Sequence, residues 1–138
     1  MILLFKKQFV PKILDGTKKH TIIEDKSNRW NTGRLIHFAT GLRTKHYNQF
    51  ANGYCKKVDK FEVIYTHVFY TNFIKSIIYI NGHKPFIILI NNKPLEIDEL
   101  KLLAKNDGFD SIYDFLLWFN QDFKGRLIHW DLFKMIKL

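Results

Sequence analysis

Up to about residue 90 the chain alternates short apolar runs with polar breaks, and after that it changes to helical spacing. Residues 2–5 have the length and character of a short strand. Residues 9–15, FVPKILD, read as a short helix entered through Pro11 and closed by Gly16, since glycine readily takes the left-handed conformation that stops a helix. HTII (20–23) follows as a strand, then a polar loop (24–33), then the strand RLIHFAT (34–40). A loop rich in Gly, Asn and basic residues runs from 41 to 54. KFEVIYTHVFY (60–70), SIIYI (76–80) and PFIILI (85–90) are β-branched and aromatic runs, with turn signals at Asn81-Gly82 and Asn91-Asn92. Ile97, Leu100, Leu103 and Ala104 then recur at helical spacing, and that helix ends near Asn106-Asp107-Gly108. Residues 111–114, Ser-Ile-Tyr-Asp, have the capping-box pattern and open a helix carrying Phe115, Leu116, Trp118 and Phe119. RLIHW (126–130) supplies a last strand. No repeat or linker divides residues 1–138. The pattern predicts one α+β domain, a small mixed β-barrel flanked by helices, with a helical pair between residues 96 and 121.

At 138 residues, 46% hydrophobic and 16% aromatic, the chain has enough apolar side chains for a core of its own and is globular rather than disordered. Cys55 stands alone, which excludes an internal disulfide and fits a reducing compartment. No CxxC or HxxxH spacing occurs, so neither a metal site nor a cofactor is expected. MILLFKKQF is too short an apolar run for a signal peptide, and Lys75, His83, Lys84 and Pro85 interrupt the most apolar stretch. No membrane partner is expected, and the expected location is the cytoplasm. The net charge of +9 is unevenly spread: residues 1–60 hold thirteen Lys/Arg against four acidic residues, whereas residues 61–138 balance at nine each. That asymmetry suits an electropositive face for phosphates, the usual footprint of nucleic-acid binding. Lysine-rich solubility in a chain biased toward Lys, Ile and Asn is the plainer account.

The densest chemistry lies in ILDGTKKHTI (13–22), where Lys18, Lys19 and His20 follow Gly16 directly. Adjacent cations repel, so either solvent tolerates them or an anionic or carbonyl-bearing ligand uses them. Other positions have equally plain alternatives. Thr21 suits its strand on β-branching alone, and Asp107 before glycine suits a turn. Trp30 and Trp130 are either core residues or rim residues stacking on a base. Trp118 lies in a helical apolar stripe and reads as core. His129 alternates with apolar neighbours and reads as a satisfied buried histidine. In GLRTK, Arg43 and Lys45 form either a phosphate cradle or a solvated hairpin tip.

Four blocks in order, F…PKILDGTKKHTI, RWNTGRLIHFATGLRTK, LAKNDGFDSIYDFLLWF and GRLIHW, resemble the ASCH domain family of the PUA-like superfamily. The resemblance implies a small β-barrel with peripheral helices and a cleft beside a Gly-x-Lys-x-x-Thr turn. Superfamily relatives mostly bind RNA or modified bases. Some ASCH proteins remove the acyl group from N-acylated cytidines, and others have been assigned ribonuclease activity. The motif Gly-x-Lys-x-x-Thr-x-Arg falls on Gly16, Lys18 and Thr21, with Ile23 at the arginine position, and Asp107 stands where the amidohydrolases have glutamate. By resemblance, Lys18, Thr21 and Asp107 are catalytic, and Gly16, Lys19, His20, Arg29, Trp30, Arg43 and Lys45 bind substrate or RNA, with Arg29, Arg43 or Lys45 standing in for the missing arginine. The implied partner is RNA or a modified nucleoside, with hydrolysis of an N-acyl cytidine as the leading activity. A non-catalytic RNA or modified-base binding module and a single-strand ribonuclease are the alternatives.

The constellation makes chemical sense. Amide hydrolysis needs a base or nucleophile, a donor to the developing oxyanion and an acid for the leaving amine. A lysine serves as base only if part of it is neutral, and Lys19, His20 and burial would all lower its pKa. Thr21 can donate to the oxyanion and Asp107 can shuttle the proton. On a regular strand residues 18 and 21 point to opposite faces, so a shared site requires Lys18 to sit in the turn before the strand begins.

Overall fold

The computed structural model describes residues 1–65 and 75–133, and a single strand of eighteen residues organises its sheet. That strand, β4 (Asn48–Tyr65), pairs in succession with three partners. β3 (Leu35–Thr40) runs antiparallel to its first part and carries β1 (Ile2–Leu4) in parallel on its outer edge. β7 (Phe123–Leu132) pairs with residues from Gly53 to Val63, and β2 (His20–Ile23) is antiparallel to β7. β5 (Phe86–Ile90) takes the end of β4 and turns at Asn91-Asn92, both at positive φ, into the two-residue β6 (Lys93–Pro94). Among the described residues the result is α+β: a seven-stranded sheet with three short helices. Among the described residues no ladder joins β1 to β2, and the sheet is open there.

Helix α1 (Val10–Leu14) lies between those two strands in sequence, entered through a 3-10 turn (Lys7–Phe9) and Pro11, and followed by Gly16 at φ +85°. Helices α2 (Ile97–Asn106) and α3 (Ile112–Trp118) pack as a pair. Their buried residues Leu100, Leu103, Phe115 and Leu116 meet Phe61, Val63, Phe86 and Ile88 of the sheet in one core cluster. A second cluster gathers Phe5, Phe9, Ile13, Trp30, Phe38 and Trp130, and Phe109 packs against both. The α2 start is held by the Glu99 carboxylate accepting from the Glu96 amide at 3.0 Å, and Ser111 caps α3 by accepting from the Asp114 amide at 3.2 Å.

Several boundaries differ from the sequence reading. The expected loop 41–54 is shorter, because residues from Asn48 onward pair with β3 despite their Asn, Gln and Gly content. Strand partners there override weak intrinsic preference. SIIYI contributes only an isolated bridge, Ile78 to Phe86, rather than a strand. The run at 60–70 enters β4 as far as Tyr65, and its remainder lies outside the described residues. The final strand is twice the expected length. Among the described residues no helix is long and apolar enough to cross a membrane.

Candidate functional site

The turn after α1 is tied down on both sides. The Lys18 amide donates to the Lys12 carbonyl at 2.9 Å, and the Lys19 amide donates to the Asn106 carbonyl at the end of α2 at 2.7 Å. β2 begins only at His20, so Lys18 precedes regular strand geometry and is not bound by its alternation. Its side chain is buried, 3% exposed, and Nζ donates to the Asp107 carbonyl at 2.5 Å while lying 3.5 Å from Asp107 Oδ1. Aromatic rings line its path, with the Phe9 centroid 4.8 Å from Nζ, Phe5 at 5.9 Å and Trp130 at 6.0 Å. Gly108, at φ +93°, follows Asp107 where a side chain would be both strained and crowded. A Cβ there would meet Lys18 Cδ at 3.0 Å and Phe9 Cδ1 at 3.1 Å.

Asp107 caps the C-terminus of α2 and is itself buried. Its Oδ1 also lies 2.9 Å from His20 Nδ1, so one carboxylate oxygen serves a lysine and a histidine. The His20 ring meets that of His129 edge to face, centroids 5.2 Å apart. His129 Nε2 is 2.9 Å from Asp59 Oδ2, Asn91 Nδ2 donates to Asp59 Oδ1 at 2.8 Å, and Lys57 Nζ stands 3.4 Å from Asp59 Oδ2.

Burial dominates the electrostatics of Lys18. Loss of water lowers its pKa from the ordinary lysine value; the charge and hydrogen bond of Asp107 oppose this without cancelling it, and Lys12 adds a smaller repulsion. The crowding read from the sequence therefore acts differently from expectation. Lys12, not Lys19 or His20, is the cation whose repulsion is felt, and desolvation outweighs it. Burial likewise lowers the pKa of His129, opposed by its bond to Asp59 and reinforced by the charge of His20.

Two depressions share Lys18. A narrow cleft of about 320 Å³ is lined by Lys18, Thr21, Ile23 and Asp107 together with Phe9 and Trp118. A wider one of about 970 Å³ is lined by Gly16, Lys18, Lys19, His20, Lys57 and His129. The division follows strand alternation, with His20 on one face and Thr21 on the other.

Of the residues nominated from sequence, Lys18, Thr21 and Asp107 thus meet in the narrow cleft, and Gly16, Lys19 and His20 face the wide one. Arg29, Trp30, Arg43 and Lys45 line neither. Trp30 requires correction as a stacking residue: it is 5% exposed within the core cluster under α1 and offers no face to a base. Arg29 sits in the polar loop with its amide on Asp25, and Arg43 is exposed at positive φ in the loop after β3. The cation that does line the narrow cleft beside Lys18 is Lys6, whose Nζ stands 4.8 Å over Trp118. Trp118 is a second correction. It is 46% exposed at the mouth of the cleft instead of core, because helical spacing shows where a stripe runs but not whether anything covers its end. Lys6, Phe9 and Trp118 carried no motif that marks a cleft. Among the described residues no group of His, Cys, Asp and Glu is arranged to hold a metal ion.

Comparison of the chain with protein-family models, with curated proteins and with solved structures finds no match.

Proposed function

We propose that the protein is an ASCH-type domain, its open sheet a PUA-like barrel in outline, that removes the acyl group from an N-acylated cytidine held in the narrow cleft. One observation carries this reading: a buried lysine of lowered pKa lies 3.5 Å from a buried carboxylate, in a cleft that also holds a threonine hydroxyl. About 320 Å³ is at the small end of ligand pockets and suits one nucleoside better than a folded strand. Phe9, Phe109 and Trp118 line it, and the half-exposed ring of Trp118 offers an aromatic face to a pyrimidine.

In this scheme the neutral fraction of Lys18 takes a proton from water, and the resulting hydroxide adds to the acyl carbon. The Thr21 hydroxyl donates to the oxyanion. As the C–N bond breaks, the proton held by Lys18 returns through Asp107 to the departing cytosine nitrogen, leaving a carboxylic acid and cytidine. A second reading, a non-catalytic binder of a modified base, is favoured by the bond from Lys18 Nζ to the Asp107 carbonyl, which occupies one donor inside the protein.

The test is acid release from N4-acylated cytidines by the purified protein, with single-stranded RNA as the competing substrate. Lys18→Arg keeps a positive charge but has no accessible neutral form. Deacylation is expected to fall by about 10²- to 10⁴-fold in Lys18→Arg while nucleoside binding persists. Turnover surviving that change would remove Lys18 from the mechanism, and binding without any turnover would establish the binder. Affinity for single-stranded RNA that falls with salt would put the nucleoside in a strand, whereas a flat response would indicate the free nucleoside.

A further inference from the structure

Asp107 answers to two partners: Lys18, which lines both depressions, and His20, which lines the wide one alone. Its carboxylate lines the narrow cleft with Lys18, whereas His20, bonded to the same Oδ1 at 2.9 Å, lines the wide one. All three side chains are at most 5% exposed, so solvent does little to screen them from one another. Hydrolysis as drawn above gives the imidazole no task. We propose that His20 is a positioning residue for Asp107: neutral, its Nδ1–H orients the carboxylate toward Lys18, and protonated, it competes for that carboxylate, so the lysine responds to the protonation state of an imidazole that faces only the wide depression.

The groups around His20 set the sign of the effect. Lys18 and Lys19 belong to its own turn, and Asp107 comes from the end of α2. His129 meets it from β7, and Asp59 and Lys57 of β4 stand behind His129. Asp15, Glu99, Lys56 and Asp131 complete the charged lining of the wide depression, and Lys56 and Asp131 pair with each other at 3.6 Å. Asp107 is the carboxylate bonded to the His20 ring. A proton on His20 therefore leaves a single negative charge between two buried cations, and the charged form of Lys18 loses part of its support.

The inference rests on the proposed role of Lys18 as base, but the coupling of the two titrations is measurable without turnover. In the unmodified protein, long-range proton–nitrogen spectra of the His20 ring are expected to show the neutral tautomer protonated at Nδ1. The Lys18 Cε and Hε resonances are expected to show a small step coincident with His20 protonation, in addition to the titration of the amine. His20→Asn keeps a donor near the Nδ1 position and cannot titrate, so that step should vanish while His129→Gln retains it. If the cleft is catalytic, His20→Leu should lower kcat by about 10- to 100-fold, His20→Asn should recover most of that loss, and its acid limb in kcat should be flatter than in the unmodified protein. A neutral ring protonated at Nε2 with Nδ1 bare would overturn the proposal, and so would an unchanged Lys18 step in His20→Asn. A coupled titration in a protein that deacylates nothing would leave the proposal standing and remove the hydrolase reading instead.

Discussion

Lys18–Asp107–His20 and Lys57–Asp59–His129 are built from the same three residue types, and their imidazoles touch edge to face. What separates them is water. In the first set every side chain is enclosed; in the second the lysine is 62% exposed and the histidine partly so. Lys57 is a solvated neighbour whose attraction to Asp59 is screened, and an ion pair of that kind contributes little. Lys18 has given up its hydration for Phe9, Asp107 and a carbonyl, and its charge stands at a cost that only a partner offsets. Asp59 is held for another purpose. Burial pushes its carboxyl up, but the hydrogen bonds from Asn91 and His129, aided by Lys57, outweigh that and hold it below the usual carboxylate range. The ionised group then fastens the β5–β6 turn to β7 through β4. One set is an enclosed charge cluster and the other is a clamp.

Removing each carboxylate in turn puts the largest strain on this distinction. Asp107→Ala leaves a buried ammonium without its counter-charge and is expected to cost about 3–5 kcal/mol of stability. Asp59→Ala strands the Asn91 and His129 donors but no buried cation, and about 1–3 kcal/mol is expected. Urea midpoints at neutral pH compare the two, and equal losses would show that the enclosure of Lys18 does not set it apart.

A smaller contrast uses the two glycines that flank the buried set in sequence. Gly16 and Gly108 both have left-handed φ, but nothing lies within 4 Å of a Cβ added at Gly16, whereas one at Gly108 meets Lys18 and Phe9. Gly16→Ala should cost only the backbone penalty, about 1–2 kcal/mol. Gly108→Ala adds an overpacking penalty of about 1–3 kcal/mol and displaces the lysine stem. Comparable thermal shifts in the two variants would mean that Lys18 and Phe9 move aside freely.

How much of this was legible in the sequence depends on the distance over which each signal acts. The helix stop at Gly16, the position of Lys18 in the turn and the break at Asp107-Gly108 are local, and local chemistry announces them. The meeting of Lys18, Thr21 and Asp107 came through resemblance, since 89 positions separate Lys18 from Asp107 and no periodicity spans them. Burial stands beside Lys19 and His20 among the causes that the sequence suggests for a lowered lysine pKa, but not as the largest, because charge is visible in a sequence and depth of burial is not. Trp30 and Trp118 exchanged roles for the same reason, one covered by α1 and its neighbours and the other left at a rim. Asp59 with His129, 70 residues apart, gave no sign of their pairing: the register of β4 on β7 brings them together, past an irregularity between Cys55 and Lys57.

The finest test is the dependence of stability on pH, because both sets hold a base whose pKa is lowered by burial, in different windows. For a base that binds its proton less tightly when folded, the unfolded chain carries more protons between the two values, so stability rises with pH across that interval. For Lys18 the interval runs from its lowered folded value up to the ordinary 10.5. For His129 it runs from its lowered folded value up to 6.5. Lys18→Met should remove the alkaline rise and leave the acid one, His129→Gln should do the reverse, and Lys57→Met should leave the alkaline rise and trim the acid one only slightly, since its charge is the smallest of the effects on His129. Urea midpoints from pH 4 to 10, read as differences from the unmodified protein, isolate each contribution from the other titrating groups. An alkaline rise that persists in Lys18→Met would mean that this lysine folds without a desolvation penalty, and the contrast between the two sets would then rest on geometry alone.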